Sequence, residues 1–152
     1  MKTGLQHWKI AGSIAVVTGL LALAGCAQMG GMGMGTMSGG AMNVSLSGSS
    51  EVPPVTTSAK GTGTITIKDD RTVSGSVTVT GMTPTAAHIH EGALGANGPV
   101  IVPMTKSGDN MFVFPATAKL TDAQYQSFKS GNLYVNVHSA ANPGGEVRAQ
   151  LK

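Results

Sequence analysis

From Asn43 onward the chain alternates apolar and polar residues with a period of two, and this texture restricts what it can fold into. Val44 and Leu46 alternate with polar neighbours, Thr62, Thr64 and Thr66 with Gly63, Ile65 and Ile67, and Val73, Val77 and Val79 with Ser and Thr. Successive side chains of a strand point to opposite faces, so such runs read as half-buried strands rich in β-branched residues. Asp69-Asp70-Arg71 is a short hairpin turn between two of them. Val100–Met104, Met111–Phe114, Leu133–His138 and Glu146–Leu151 add further short strands, the last two separated by the turn Asn142-Pro143-Gly144-Gly145. One helix is expected: Thr121 and Gln124 form a capping box ahead of Tyr125 and Phe128, and Gly131 stands where the chain leaves it. Charged residues make up 11% of the chain and aromatic residues 4%, which suits strands and turns better than packed helices. The expectation is an all-β domain, a Greek-key or immunoglobulin-like β-sandwich or barrel of about eight strands with one short helix.

The start of the chain has a different character. Lys2 and Lys9 precede an apolar run from Ile10 to Ala24, long enough for a signal peptide and short of the ~20 residues that span a bilayer. It ends in Leu23-Ala24-Gly25-Cys26, which resembles the bacterial lipobox, and Cys26 is the sole cysteine. A lone thiol forms no intrachain disulfide, so its placement calls for another explanation. Residues 1–25 are therefore expected to be a lipoprotein signal peptide, residues 26–42 a lipidated cysteine with a flexible Met/Gly tether, and residues 43–152 the folded domain. Acyl chains on Cys26 would hold the protein on a lipid bilayer. Ala27, where an Asp is absent, resembles the sorting signal for the outer membrane facing the periplasm in a Gram-negative cell. Met29, Met32, Met34, Met37 and Met42 punctuate the tether. Their soft thioethers suit Cu(I), and the alternative is a neutral spacer with incidental methionines.

Without Lys2 and Lys9 the chain carries eight Lys/Arg against seven Asp/Glu. No basic cluster interleaves with aromatics, which argues against a nucleic-acid partner. No Gly-X-Ser-X-Gly elbow presents a nucleophile, and the glycine-rich stretch Gly92–Gly98 precedes a strand, where it has no helix N-terminus to offer a phosphate. Asp69 and Asp70 are solvated turn residues. Glu51-Val-Pro-Pro-Val reads as an extended segment that ends the first strand and blunts a sheet edge, with peptide recognition as the alternative. The remaining chemistry lies in three histidines. His88 and His90 share one strand face, with Ala87, Ile89 and Glu91 on the other. Tyr134, Asn136 and His138 likewise share a face opposite Leu133, Val135 and Val137. If the apolar faces form the core and the two strands are neighbours, three imidazoles converge outside it within reach of one metal ion. Imidazole ligands favour copper or zinc, and a three-histidine set keeps a position open for water. The competing reading has the histidines ordering loops through hydrogen bonds. Asn136, Glu91, Glu146 and Arg148 are the candidate supporting residues.

Several motifs resemble one family. Leu46-Ser-Gly-Ser-Ser-Glu51-Val-Pro53-Pro54-Val opens the domain. Met82-Thr-Pro84-Thr-Ala-Ala-His88-Ile-His90-Glu-Gly92 and Gly98-Pro99-Val follow, then Gly131-Asn-Leu-Tyr134-Val-Asn136-Val-His138 and Asn142-Pro-Gly-Gly145-Glu146-Val-Arg148. In order and spacing they resemble the CHRD domain, first described as a repeat in chordin and found in many bacterial secreted proteins. Chordin binds growth factors through other modules, so the resemblance implies no bacterial function. The histidine strands also resemble the copper-ligand strands of Cu/Zn superoxide dismutase. That resemblance maps His88, His90 and His138 onto three copper ligands and Arg148 onto an anion-guiding arginine. A fourth, zinc-bridging histidine, a zinc loop and a cysteine pair are absent from the mature chain. The reading is a membrane-anchored, non-catalytic envelope module that binds copper or another divalent metal. A metal-free structural or protein-interaction module stays open as a second reading, and a dismutase-like redox enzyme ranks last.

Overall fold

The computed structural model describes residues 40–152. The expected signal peptide, Cys26 and the tether residues Met29, Met32, Met34 and Met37 lie outside the described residues. The elements are β1 (Ala41–Ser47), a 3₁₀ turn (Gly48–Ser50), β2 (Lys60–Ile67), β3 (Val73–Thr80), β4 (Pro84–Glu91), β5 (Val100–Pro103), β6 (Thr105–Lys106), β7 (Met111–Val113), α1 (Asp122–Lys129), β8 (Leu133–Ser139) and β9 (Val147–Leu151). All neighbouring pairs are antiparallel, in the order β5-β4-β8-β9-β1-β2-β3-β7-β6.

The two ends of that order are adjacent in the chain. Only Met104 separates β5 from β6, and its amide donates to the Ala87 carbonyl of β4 at 3.0 Å. One extended stretch therefore pairs with β4 through its first half and with β7 through its second, bending the single sheet into a nearly closed barrel. Closure leaves few free edges to attract other strands. Inward positions at period two supply the core: Ala87 and Ile89, Leu133, Val135 and Val137, Val147 and Leu151, Ile65 and Ile67, and Val77 and Val79. The fold is thus all-β with one helix, as expected, in barrel form. The expected Val100–Met104 strand is one of nine because the same run continues past Met104 as β6.

Local chemistry explains the turns. Asp70 Oδ1 accepts from the Thr72 amide at 2.9 Å and its hydroxyl at 2.6 Å, locking the β2–β3 hairpin. Helix α1 carries the anticipated capping box: Thr121 Oγ1 accepts from the Gln124 amide at 3.2 Å, and Gln124 Oε1 from the Thr121 amide at 2.9 Å. Phe128 is buried, and Gly131 leaves the helix at φ +71°. The start of the domain differs from the sequence reading. The first strand begins at Ala41, because Met42 shares the inward face with Val44 and Leu46 and packs against the core. Met42 accordingly belongs to the barrel and not to the tether. Strand β1 ends at Ser47, before the 3₁₀ turn and ahead of the Glu51–Pro54 segment, and that segment forms no edge strand: Val55 N donates to Gly48 O at 2.9 Å and Asn97 Nδ2 to Val52 O at 2.6 Å. These bonds fold it against the loop that follows β4.

Candidate metal centre

Strands β4 and β8 are neighbours, with His88 opposite Asn136, Ala86 opposite His138 and His90 opposite Tyr134. Ala87, Ile89, Leu133, Val135 and Val137 occupy the inner face and are fully buried. Burying them obliges the intervening residues to point outward, so His88, His90 and His138 meet on the outer wall. Their ring centroids lie 5.7 Å (His88–His90), 4.9 Å (His88–His138) and 5.9 Å (His90–His138) apart. One ring nitrogen from each falls within 4.8 Å of the others.

Two loops fix the rings. His90 Nδ1 donates to the Gly98 carbonyl and His138 Nδ1 to the Pro143 carbonyl, each at 2.9 Å. A carbonyl only accepts, so the proton sits on Nδ1 and each Nε2 keeps a lone pair. Ligating histidines commonly make such a bond through the second nitrogen, which sets the tautomer and the ring angle. His138 Nε2 lies 3.1 Å from His88 Nδ1. Burial, with His138 and His90 nearby, pushes His88 down to about 4. Burial also lowers His90, against the opposing bond to Gly98. His88 and His90 are therefore neutral at pH 7, the state in which imidazole binds a metal.

The supporting residues fall into two groups. Asn136, 2% exposed, lies amid the histidines and donates to the Gly144 carbonyl at 3.4 Å. The Tyr134 ring stacks on His90 with centroids 4.8 Å apart and planes at 8°. The Arg148 guanidinium lies 3.4 Å from the Tyr134 ring centroid. Arg148 does not serve as an exposed anion guide, because it is 1% exposed. Its nitrogens donate to Asn97 Oδ1 at 3.2 Å, the Ala96 carbonyl at 2.9 Å and Gln150 Oε1 at 3.3 Å, strapping the 92–98 loop down.

Glu91 and Glu146 have other partners. Glu91 accepts from the Ser127 hydroxyl and ties the end of β4 to α1. Glu146 accepts from Thr57 at 2.7 Å and from the Ser139 hydroxyl. Burial raises its carboxyl, but hydrogen bonds from Ser139, Thr57 and Asn142 outweigh that and leave it lowered.

Sequence reasoning passed over Glu51. It is 5% exposed, and burial lifts its carboxyl to about 7 against the lowering effects of the Arg148 charge and the Asn136 amide. A lone acid between two serines and Val-Pro-Pro has no periodicity to reveal that it turns inward. Among the described residues, Glu51 Oε1, Asn136 Oδ1 and His90 Nε2 are buried without a hydrogen-bond partner. Such atoms each cost about 1–3 kcal/mol when unsatisfied. Three such atoms grouped around Asn136 are compatible with a bound cation.

A model of the CHRD domain matches residues 42–151. No curated protein and no solved structure matches the chain.

Proposed function

The chain belongs to the CHRD domain family, and on that premise we propose that its barrel is a non-catalytic metal-binding module of the cell envelope, held on the membrane through lipidated Cys26. The observation that carries the metal reading is the convergence of three imidazoles, two with Nδ1 bound to loop carbonyls so that each Nε2 keeps its lone pair toward the cluster. Three nitrogen ligands on rigid strands favour copper or zinc over harder ions. The thioethers of Met29, Met32, Met34 and Met37 add a separate Cu(I)-selective set near the membrane. The lipobox-like run ending at Cys26 supports the anchor, and Cys26→Ser should shift the chain from the membrane to the soluble fraction.

The metal test is calorimetric titration of Cu(II) and Zn(II) into a full chain whose four tether methionines are replaced by leucine. We expect one ion per chain at micromolar or tighter affinity, lost in the His88→Ala/His90→Ala/His138→Ala variant. Equal binding by the triple variant, or none by either protein, overturns the reading. A second reading draws on the 3.1 Å His88–His138 contact and the two loop carbonyls, which make the rings loop anchors in a structural or protein-interaction module. It is upheld if neither protein binds metal and the triple variant is merely less stable.

A further inference from the structure

The metal reading satisfies His90 Nε2 and leaves Asn136 Oδ1 and Glu51 Oε1 without partners. Both are acceptors. Asn136 stands opposite His88 across the β4–β8 ladder and two residues before His138, so it shares the outer face with all three imidazoles. The Glu51 carboxylate and the Asn136 amide nitrogen face the same side of the Gly145 Cα. A Cβ at Gly145 would come within 2.5 Å of both Asn136 Nδ2 and Glu51 Oε1, and its φ of +132° also excludes other residues. Glycine here leaves the space over its Cα to the amide and the carboxylate.

That space adjoins a cavity of about 440 Å³ lined by Glu51, Pro53, Asn97, Pro143, Gly144 and Gly145. The cavity shares its walls with the histidine supports. Pro143 holds His138, Gly144 accepts from Asn136, and Asn97 precedes the glycine that holds His90. Two unpartnered acceptors beside three metal ligands define what fits between them. An anion supplies no donor and would face the Glu51 carboxylate. Water has two O–H groups for the two oxygens and a lone pair for the ion.

We propose that Glu51 and Asn136 hold an exchangeable water on the metal bound by His88, His90 and His138, with the cavity beside Glu51 as its route to solvent. This rests on the metal reading. It makes Glu51 and Asn136 positioning residues that govern the ion's open position, and it distinguishes the centre from a closed structural site.

The test is solvent-proton relaxivity of the full chain carrying Cu(II), with protein in excess so that all the copper is bound. Wild type should show the enhancement of an inner-sphere, exchanging water. Glu51→Leu should lower it at least about twofold while copper affinity falls no more than about tenfold. Glu51→Gln, which keeps an acceptor oxygen, should restore much of the enhancement. An outer-sphere value in wild type overturns the water site whatever the variants do, as does equal relaxivity in wild type and copper-loaded Glu51→Leu. If wild type binds no copper or zinc, the metal reading itself fails and the water site falls with it.

Discussion

Glu51 titrates at about 7 in the folded chain, chiefly because burial disfavours its anion, whereas an unfolded chain releases the same proton near 4.5. Between those values the folded state holds a proton that the unfolded state has lost. The resulting stability is full below pH 4.5 and is lost as pH rises through about 7. His88 acts in the opposite sense. Burial keeps it neutral down to about 4, while the unfolded ring takes up a proton near 6.5, so stability is lost as pH falls from 6.5 towards 4. The two windows overlap between pH 4.5 and 6.5, and Glu51→Gln separates them. In metal-free protein we expect Glu51→Gln to exceed wild type at pH 8 by on the order of 2 kcal/mol, with the advantage fading towards pH 4.5. Urea denaturation across this range measures it. A gain that is the same at both ends would trace to packing and acquit the buried anion. A residue that costs stability at neutral pH suits one retained for a site rather than for the fold.

The 92–98 loop, the Glu51–Pro54 segment and the 140–146 turn together cover the outer wall of β4, β8 and β9. Arg148 is the rivet for the first of these, its guanidinium spread over Asn97, Ala96 and Gln150 and stacked on Tyr134. Arg148→Met leaves those acceptors without donors and should cost about 3 kcal/mol. Amide exchange within residues 93–98 should quicken at least about tenfold, while the β2–β3 hairpin keeps its protection. Uniform quickening would mean global destabilisation rather than a released loop. The strands under these loops were legible from alternation: Val135 and Val137 must face the core, which sends Asn136 and His138 outward. The helix was legible from Thr121, Gln124 and Gly131. What alternation does not encode is whether an outward residue meets water. Arg148 points away from the core and is nevertheless sealed beneath a loop whose path depends on contacts distant in sequence. Glu51 was missed for the same reason, since only the folded chain brings it beside Asn136 and Gly145. The start of β1 was misplaced because Met42, the first residue of its inward face, follows directly on the Met/Gly run and resembles it in composition.

At the scale of the whole barrel, the histidines stand on two neighbouring strands, with the site's loops tied to both. His88 and His90 belong to β4, His138 to β8, and Arg148 carries the link to β9. A metal ion on these rings would bridge segments about fifty residues apart in sequence, a set of ligands that an unfolded chain has no means of holding together. Binding free energy then appears as folding free energy. At a free ion concentration of one hundred times Kd the gain is about 2.7 kcal/mol. For a domain of this size each kcal/mol shifts Tm by roughly 4–8 °C, so zinc should raise the midpoint by roughly 10–20 °C. Scanning calorimetry with and without zinc measures the shift, and zinc avoids the redox side reactions of copper. The His88→Ala/His90→Ala/His138→Ala variant should show none of it, and the tether variant with four leucines should show all of it. A rise that survives the triple variant would place the ion elsewhere on the chain. A rise that disappears with the tether methionines would move metal capture out of the barrel and leave the three histidines to hold its loops.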